Sequence, residues 1–489
     1  MKLCELIKEL EIKEEVRYDG DAEISDIVYD TRRIVPGCIF VCIEGTRFDS
    51  HTLSLKAEEA GAAVIIASKP VEALSCQVIY VPDTRKAMAL LSAAFFGHPA
   101  RELKTVAITG TKGKTTTSYM VKELLERAGH KCGLIGTIEI DTGKRRFLAD
   151  HSTPESYLIH EYMREMVDAG CDAVVMEASS QGFKMDRTWG IEFDTGVFTN
   201  LEKDHISPEE HASMEEYIAC KAMLFRQCRR GLFNMDDSHV SSMTAGCSCS
   251  VSTFGLEEGA DLRATDIELI NRGGYLGIAC RLKGSYDTEL EIGIPGRFNV
   301  YNALCAAAIA REFDVPAEIL REVMKDFHVH GRVEPVKVSD KYSMMIDYAH
   351  NSMALESLLK TLREYEPGRL VCIFGCGGNR SRDRRFEMGE VSGRLADLTI
   401  ITSDNPRYEK PEDIIADIIT GIEKTGGSYT VVPDREEAVK YALENAREGD
   451  LIVLAGKGHE NYQEICGVKH HMDERELIMR ALKETSRQK

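Results

Sequence analysis

One stretch constrains this chain more than any other: residues 105–117, where TVAIT runs straight into GTKGKTTT. The first five residues form a buried-strand pattern, and the last few carry Lys and Thr at the opening of a helix. Between them Gly110 and Gly113 let the backbone curl with its N–H groups turned inward, the geometry that cradles a polyphosphate. Lys114 adds a point charge for β- and γ-phosphates, and the Thr115 hydroxyl suits Mg²⁺. Thr111, Lys112 and Thr116 complete the expected ATP contacts. Ile108 stands where the general G-x-x-x-x-G-K-[ST] pattern has its first glycine. A glycine-rich turn that binds nothing is the bland alternative. Strand, helix and Lys-Thr pair together argue against it.

A chain of 489 residues holds roughly three domains if each takes ~150 residues. Hydrophobic residues make up 43% of it, ample for several cores. A net charge of −19 repels polyanions, which excludes a general nucleic-acid or membrane-surface binder. No apolar run approaches the ~20 residues needed to span a bilayer. The opening MKLCELIKELEIKEEV lacks an apolar signal core. The expectation is a cytoplasmic protein acting as a monomer. Its 15 cysteines are scattered, mostly in apolar stretches, and read as small buried hydrophobes in a reducing compartment. Cys247 and Cys249 form an isolated C-x-C, too little for a metal site.

Short β-like runs (Gly37–Ile43, Ala62–Ala67, Val78–Val81) and a helical stretch, Thr84–Phe96, precede a break at His98-Pro99. From about Lys104 to Arg332 strand and helix alternate, with buried strands expected at Ala173–Glu177 and Thr195–Thr199. A Gly-rich, antiparallel-looking stretch (Gly255–Ile294) lies inside that part. The last third alternates most regularly, with strands expected at Met344–Asp347, Leu370–Phe374, Leu398–Thr402, Tyr429–Val432 and Leu451–Ala455. Such alternation predicts an α/β fold with mostly parallel sheets and ligands at the carboxyl ends of the strands.

Those ends are where the informative residues stand. Ala173–Glu177 finishes in a carboxylate, and Thr195–Thr199 runs into Asn200-Leu201-Glu202-Lys203-Asp204-His205. A single carboxylate or His at a strand end is more often a cap or a solvated group. Three ends converging beside a phosphate loop favour a Mg·ATP site.

Nine short motifs follow one another along the chain: TGTKGKTT (109–116), EASS (177–180), TNLEKDH (199–205), CKAMLF (220–225), GRFNVYNALCA (296–306), HGRVE (330–334), DYAH (347–350), DNPR (404–407) and GKGHE (456–460). In order and spacing they resemble the Mur ligase superfamily, MurE type, over essentially the whole chain. The resemblance implies three α/β domains. Residues 1–100 would hold a UDP-sugar, 101–331 the P-loop and ATP, and 332–489, Rossmann-like, the amino acid. The implied activity is ATP-dependent addition of meso-diaminopimelate to UDP-N-acetylmuramoyl-L-Ala-D-Glu, at the D-Glu side-chain carboxylate. It would proceed through an acyl phosphate, in peptidoglycan synthesis.

The same resemblance implies roles for single residues. Lys221, in its K-x-x-L-F context, would be carbamylated and join Thr115, Glu177 and His205 around Mg²⁺; an ordinary helix-surface lysine is the plain alternative. Tyr29, Thr31, Thr46, Arg47 and Phe48 resemble UDP-sugar contacts. Ser152, Thr153, Ser179 and Arg187 resemble contacts to the sugar-peptide. Asn302 and Arg332 match the adenine and phosphate side, with Asp347 and His350 at the hinge edge of the third domain. Asp404, Asn405, Pro406 and Arg407, together with Arg380, Gly456 and Glu460, match the amino-acid site. A planar arginine at 407 suits the distal carboxylate of diaminopimelate, which lysine lacks. Glu460 is expected to accept from the distal ammonium.

Several positions depart from that pattern. Ser152 replaces the first Thr of T-T-P, Gln181 the His of S-S-H, and Lys112 the Asn of T-G-T-N-G-K. Asn351-Ser352 replaces the T-P after D-Y-A-H, and Met185 stands at a commonly polar contact. They mark a divergent branch. A ligase adding lysine or another diamino acid would share everything except the recognition loop. A folylpolyglutamate synthetase would share the ATP chemistry but lack the UDP-binding segment and D-N-P-R. A non-catalytic nucleotide-binding paralogue is disfavoured by the joint presence of Lys114, Thr115, Glu177, His205 and Lys221.

Overall fold

Runs of β-branched and aliphatic residues become buried strands throughout the computed structural model. It describes residues 1–45, 48–73, 75–204, 206–207, 210–272 and 274–487, the last three by backbone alone. The chain forms two compact units. The first takes in Met1–Arg263, Gly284–Tyr286 and Leu304–Leu320; the second Ala264–Lys283, Asp287–Ala303 and Arg321–Lys489.

Two sheets lie in the first unit. One holds β1 (Glu14–Val16), β2 (Ile27–Val28), β3 (Ile39–Val41), β4 (Val64–Ala67) and β5 (Gln77–Tyr80) in the order β1-β5-β4-β3-β2. Only β1 runs antiparallel. The strand expected at Gly37–Ile43 is shorter because Gly37, at φ 82°, turns the chain before it. The other sheet is built on β6 (Lys104–Thr109), β7 (Cys132–Ile135), β8 (Glu139–Asp141), β9 (Arg146–Leu148), β10 (Ala173–Glu177), β11 (Phe193–Phe198), β12 (Cys228–Asn234) and β13 (Ser250–Gly255). Its order is β13-β12-β11-β6-β10-β7-β8-β9. All five residues of β10 are buried. That explains a sequence with no polar alternation, since both faces of a parallel sheet are covered. Each such valine contributes about 1.5–3 kcal/mol by leaving water. Register matters more for function. Glu177 stands opposite Ile108, and Phe198 opposite Thr109, so β10 and β11 end level with the glycine loop. That loop feeds α1 (Lys114–Arg127), and a second helix, α2 (Met214–Ala222), carries Lys221.

In the second unit β14 (Leu262–Arg272, from Ala264 on), β15 (Tyr275–Gly284) and β16 (Thr288–Ile292) form the stretch expected to be antiparallel, and β15 pairs antiparallel with β16. A six-stranded sheet follows: β17 (Glu334–Val336), β18 (Ser343–Asp347), β19 (Arg369–Phe374), β20 (Leu398–Ile401), β21 (Tyr429–Val431) and β22 (Asp450–Ala455), in the order β17-β18-β22-β19-β20-β21. All but β17 are parallel. The five strands expected in the last third are each present within one residue at either end. Helices α3 (Asp383–Leu395) and α4 (Pro411–Glu423) cover this sheet, and the hairpin β23 (Tyr462–Ile465) and β24 (Val468–His471) follows β22. Eleven cysteines are buried and all fifteen are free thiols. Among the described residues no helix is long and apolar enough to cross a membrane.

Candidate active site

Helix α1 begins on Gly113, at φ 85°, with no side-chain cap. Elsewhere a polar side chain fills that place: Ser213 accepts from Glu216 N, and Asp83 from Arg85 N and Lys86 N. The amides of Lys114, Thr115 and Thr116 therefore keep their capacity for an external anion. Gly110 has φ 152°, and a Cβ there would collide with Thr199 Oγ1. The loop is pinned from the end of β11. Thr111 N donates to Asn200 O at 2.9 Å, Lys112 N to Asn200 Oδ1 at 2.8 Å, and Thr199 Oγ1 to Lys112 O at 2.8 Å. The Lys112 ammonium is 2.6 Å from Glu202, on the exposed side.

Two lysines converge on one carbonyl. Lys114 Nζ and Lys221 Nζ donate to Gly110 O at 2.8 and 2.9 Å. Lys221 is 2% exposed and lies 4.6 Å from the centre of the Tyr217 ring. Burial first, and the Lys114 charge second, hold its amine well below the usual lysine range; burial lowers Lys114 as well. This overturns the surface-lysine alternative. Opposite stands Glu177, fully buried, which accepts from Thr115 Oγ1 at 3.1 Å, Thr137 N at 2.8 Å and Thr137 Oγ1 at 2.9 Å. A hydroxyl against a carboxylate is the oxygen pair that Mg²⁺ takes. As an ammonium Lys221 does not fit a cation; as an anionic carbamate it does. His205 lies outside the described residues. Among the described residues no three His, Cys, Asp or Glu side chains gather tightly enough to hold a metal.

The sugar-peptide residues expected near this edge are brought to it. Thr153, buried, accepts from Ser179 N at 2.9 Å and donates to Glu177 O at 3.0 Å. Ser152 Oγ lies 2.8 Å from Thr137 Oγ1; the single Thr137 proton goes to Glu177, so Ser152 is the donor of this pair. Arg187 donates to Thr153 O at 2.8 Å and Glu155 Oε1 at 2.7 Å. Tyr29 stands near the same glutamate, its phenol raised by burial and then by the Glu155 charge. Thr31 opens a short 3₁₀ turn capped by Asp30, and Phe48 is 57% exposed. Thr46 and Arg47 lie outside the described residues. Gln181 Oε1, at a departure from the family pattern, is buried without a partner among the described residues.

In the second unit Asn302 is buried and donates to Asn299 Oδ1 at 2.8 Å. Arg332 stacks on Tyr348 at 5.2 Å. Asp347 accepts the amides of Val333 and Ala349, each at 2.8 Å, and burial raises its carboxyl. The departure at Asn351-Ser352 is a helix start, in which the Asn351 side chain caps Ala354 N at 2.9 Å.

A cavity of about 330 Å³ opens at the carboxyl ends of β19, β20 and β22, lined by Arg380, Arg384, Asp404, Asn405, Arg407, Gly456 and Glu460 among others. The expected amino-acid residues thus share one space, with Pro406 in the loop beside it. Their pairing differs from the expectation. Arg407 is not aimed freely: its Nε donates to Glu464 Oε2 at 3.1 Å and its Nη1 to Gly378 O at 2.7 Å. Arg380 is exposed and, among the described residues, makes no hydrogen bond or ion pair. Glu460 accepts from Asn405 Nδ2 at 3.0 Å and from Lys457 Nζ at 2.7 Å. Burial alone would raise its carboxyl, yet Lys457 and Asn405 bring it below the ordinary glutamate value. Lys457, wholly buried, also donates to Asn405 Oδ1 at 2.9 Å.

Sequence reasoning missed Thr137, Tyr217 and Lys457, and named Asn200 only as part of the run after β11. Asn200 and Lys457 sit inside quoted motifs, so their neighbours were the signal. Tyr217 is one helical turn before Lys221. Nothing local marks Thr137.

Two family models match this chain: the Mur ligase middle domain over residues 108–310, and the Mur ligase, glutamate ligase domain over residues 331–458. The UDP-N-acetylmuramoyl-L-alanyl-D-glutamate--2,6-diaminopimelate ligase of Clostridium botulinum (strain ATCC 19397 / Type A) is 40% identical over 494 residues, 99% of this chain and 100% of the relative. A ligase of that name, numbered 1, from Clostridium acetobutylicum is 40% identical over 488 residues, again 99% and 100%. A solved structure bearing the same enzyme name has a TM-score of 0.76 at 28% identity, over 99% of both chains.

Proposed function

This chain belongs to the Mur ligase family, and from that premise we propose that it joins meso-2,6-diaminopimelate to UDP-N-acetylmuramoyl-L-Ala-D-Glu while ATP is cleaved to ADP and phosphate. One observation carries the reading: Lys114, Thr115, Glu177 and Lys221 gather at the carboxyl edge of β6 and β10 beside an uncapped helix start. The open amides of α1 and the Lys114 charge hold the γ-phosphoryl as its charge spreads, and the D-Glu side-chain carboxylate receives it. The amine of the amino acid then attacks the acyl phosphate, and phosphate leaves. Mg²⁺, when bound, neutralises phosphate charge. Thr115, Glu177, His205 and the carbamate of Lys221 would hold it. The uncharged Lys221 amine is the form that adds CO₂, giving the carbamate and releasing one proton.

Residues 1–100 are assigned to the UDP-sugar with Tyr29, Thr31, Thr46, Arg47 and Phe48, residues 101–331 to ATP, and residues 332–489 to the amino acid. Ser152, Thr153, Ser179 and Arg187 face the sugar-peptide, and Asn302 and Arg332 the nucleotide. The open Arg380 and the paired Arg407 favour a substrate with a second carboxylate over lysine. The enzyme is assigned to the cytoplasm, as a monomer. Ligation of the UDP-muramoyl dipeptide with a panel of diamino acids, read by mass, tests the reading. The diaminopimelate tripeptide should dominate. A lysine product in excess, or no ligation with any amino acid, overturns it.

A further inference from the structure

Two loops wall the amino-acid cavity: 376–382, with Arg380, and 404–409, with Asp404, Asn405 and Arg407. They are stitched together. Gly378 N donates to Asn405 O at 2.9 Å, and Tyr408 N to Asn379 Oδ1 at 3.1 Å. Asn379 and Arg407 each have φ 52°, a region that costs a non-glycine residue energy and persists only where the surroundings impose it. Beneath the loops lies Arg385 on α3, 2% exposed. Its Nη2 donates to both oxygens of Glu409, at 2.8 and 2.9 Å, and its Nη1 to Asp417 Oδ2 on α4 at 3.0 Å. Glu409 stands on the second wall, yet it also accepts the amide of Asn379 on the first.

We propose that Arg385, which lines no part of the cavity, is a positioning residue for amino-acid choice: by tying Glu409 to α4 it sets the spacing between Arg380 and Arg407. The proposal rests on the ligase reading above. Only a planar, two-armed guanidinium reaches both carboxylates; an ammonium reaches one. Without the tie Glu409 releases Asn379, and two arginines spaced for a substrate of fixed carboxylate separation lose their register.

Steady-state kinetics of Arg385→Lys, Arg385→Met and Glu409→Gln test it, with the amino acid varied at saturating ATP and UDP-dipeptide, beside thermal unfolding. The KM for the amino acid that the parent enzyme prefers should rise about tenfold in both Arg385 variants, with the ATP KM within about twofold. The preference for diaminopimelate over lysine should fall by a similar factor. Glu409→Gln should move the same way by about threefold, and keeps the test alive if the Arg385 variants fail to fold. A lower unfolding temperature with the amino-acid KM unchanged overturns the proposal, as does an equal rise in the ATP KM. A parent that prefers lysine defeats the diaminopimelate reading instead, and the tie is then read on the KM for lysine.

Discussion

The glycine loop of the first unit and the cavity of the second, proposed above for phosphate and amino acid, both handle charge, and by opposite means. Lys114 and Lys221 donate to backbone: both to Gly110 O, and Lys114 also to Thr111 O at 3.1 Å. Glu177 is held by hydroxyls and an amide. Among the described residues neither amine has a carboxylate bonded to it, so burial penalises its charge until an incoming anion offsets that penalty. In the cavity the buried Lys457 faces the half-buried Glu460 at 2.7 Å, and the half-buried Arg407 faces Glu464 at 3.1 Å. An incoming zwitterion must exchange partners there. On the proposed function, the first arrangement would serve catalysis, where charge develops during the reaction, and the second selection, where a misfit leaves a pair broken.

The loop breaks most completely. Lys114→Ala should lower kcat by about a thousandfold or more while the unfolding temperature hardly moves, because only two backbone carbonyls lose a donor. Ligation near the parent rate would reject the assignment. Lys221→Met should also abolish ligation, yet stabilise the protein by about 1 to 3 kcal/mol at pH 7 in bicarbonate-free buffer. The sign follows from linkage. The folded amine is lowered, so the unfolded chain binds the extra proton and the parent carries a penalty that fades as pH rises towards the unfolded lysine value. The gap in unfolding temperature should therefore narrow between pH 7 and pH 10. A constant gap, or a destabilised variant, would show that this lysine is not a desolvated amine.

The same contrast explains what the sequence reveals. The loop is contiguous, Gly110 to Thr116, and its requirements (positive φ, a strand before and a helix after) are local. Even the burial of Lys221 is legible, since Tyr217, Cys220 and Lys221 share one face of α2 at helical spacing. The last five parallel strands are legible because each is short, rich in aliphatic or β-branched residues and set between helix-length segments. Pairing is not legible. Thr137 reaches Glu177 across 40 residues, Arg407 meets Glu464 across 57, and Arg385 meets Asp417 across 32. Those distances are closed by sheet order, which no local pattern encodes. Hence D-N-P-R pointed to residues that line one cavity, yet left hidden that Arg407 is paired and Arg380 open.

Within the cavity the larger effect belongs to Arg407. Arg407→Ala should raise the diaminopimelate KM by about 30-fold, discounted from a fully buried pair because Glu464 already shares the guanidinium. ATP and UDP-dipeptide KM values should stay put, and the preference over lysine should fall. Equal losses for both amino acids would mean that the residue only braces Gly378.

The smallest effect separates the two regions by pH. The Lys221 penalty on stability fades on the alkaline side, towards the unfolded lysine value, whereas the contribution of Glu460 is lost on the acid side. Its folded carboxyl lies below the ordinary value of 4.5, so its contribution to stability is present above that value and lost as pH falls through the folded one. The parent KM for the amino acid should accordingly stay flat from pH 8 to about pH 5 as far as this group decides. Lys457→Gln keeps a donor to Glu460 and Asn405 but removes the charge, so burial then dominates and the Glu460 carboxyl rises. The variant should match the parent within about twofold at pH 8 and fall behind by about threefold at pH 5. Its acid unfolding should begin at higher pH. An identical acid limb in parent and variant would mean that Glu460 is set by Asn405 and solvent, and that this cavity is not governed by paired charge.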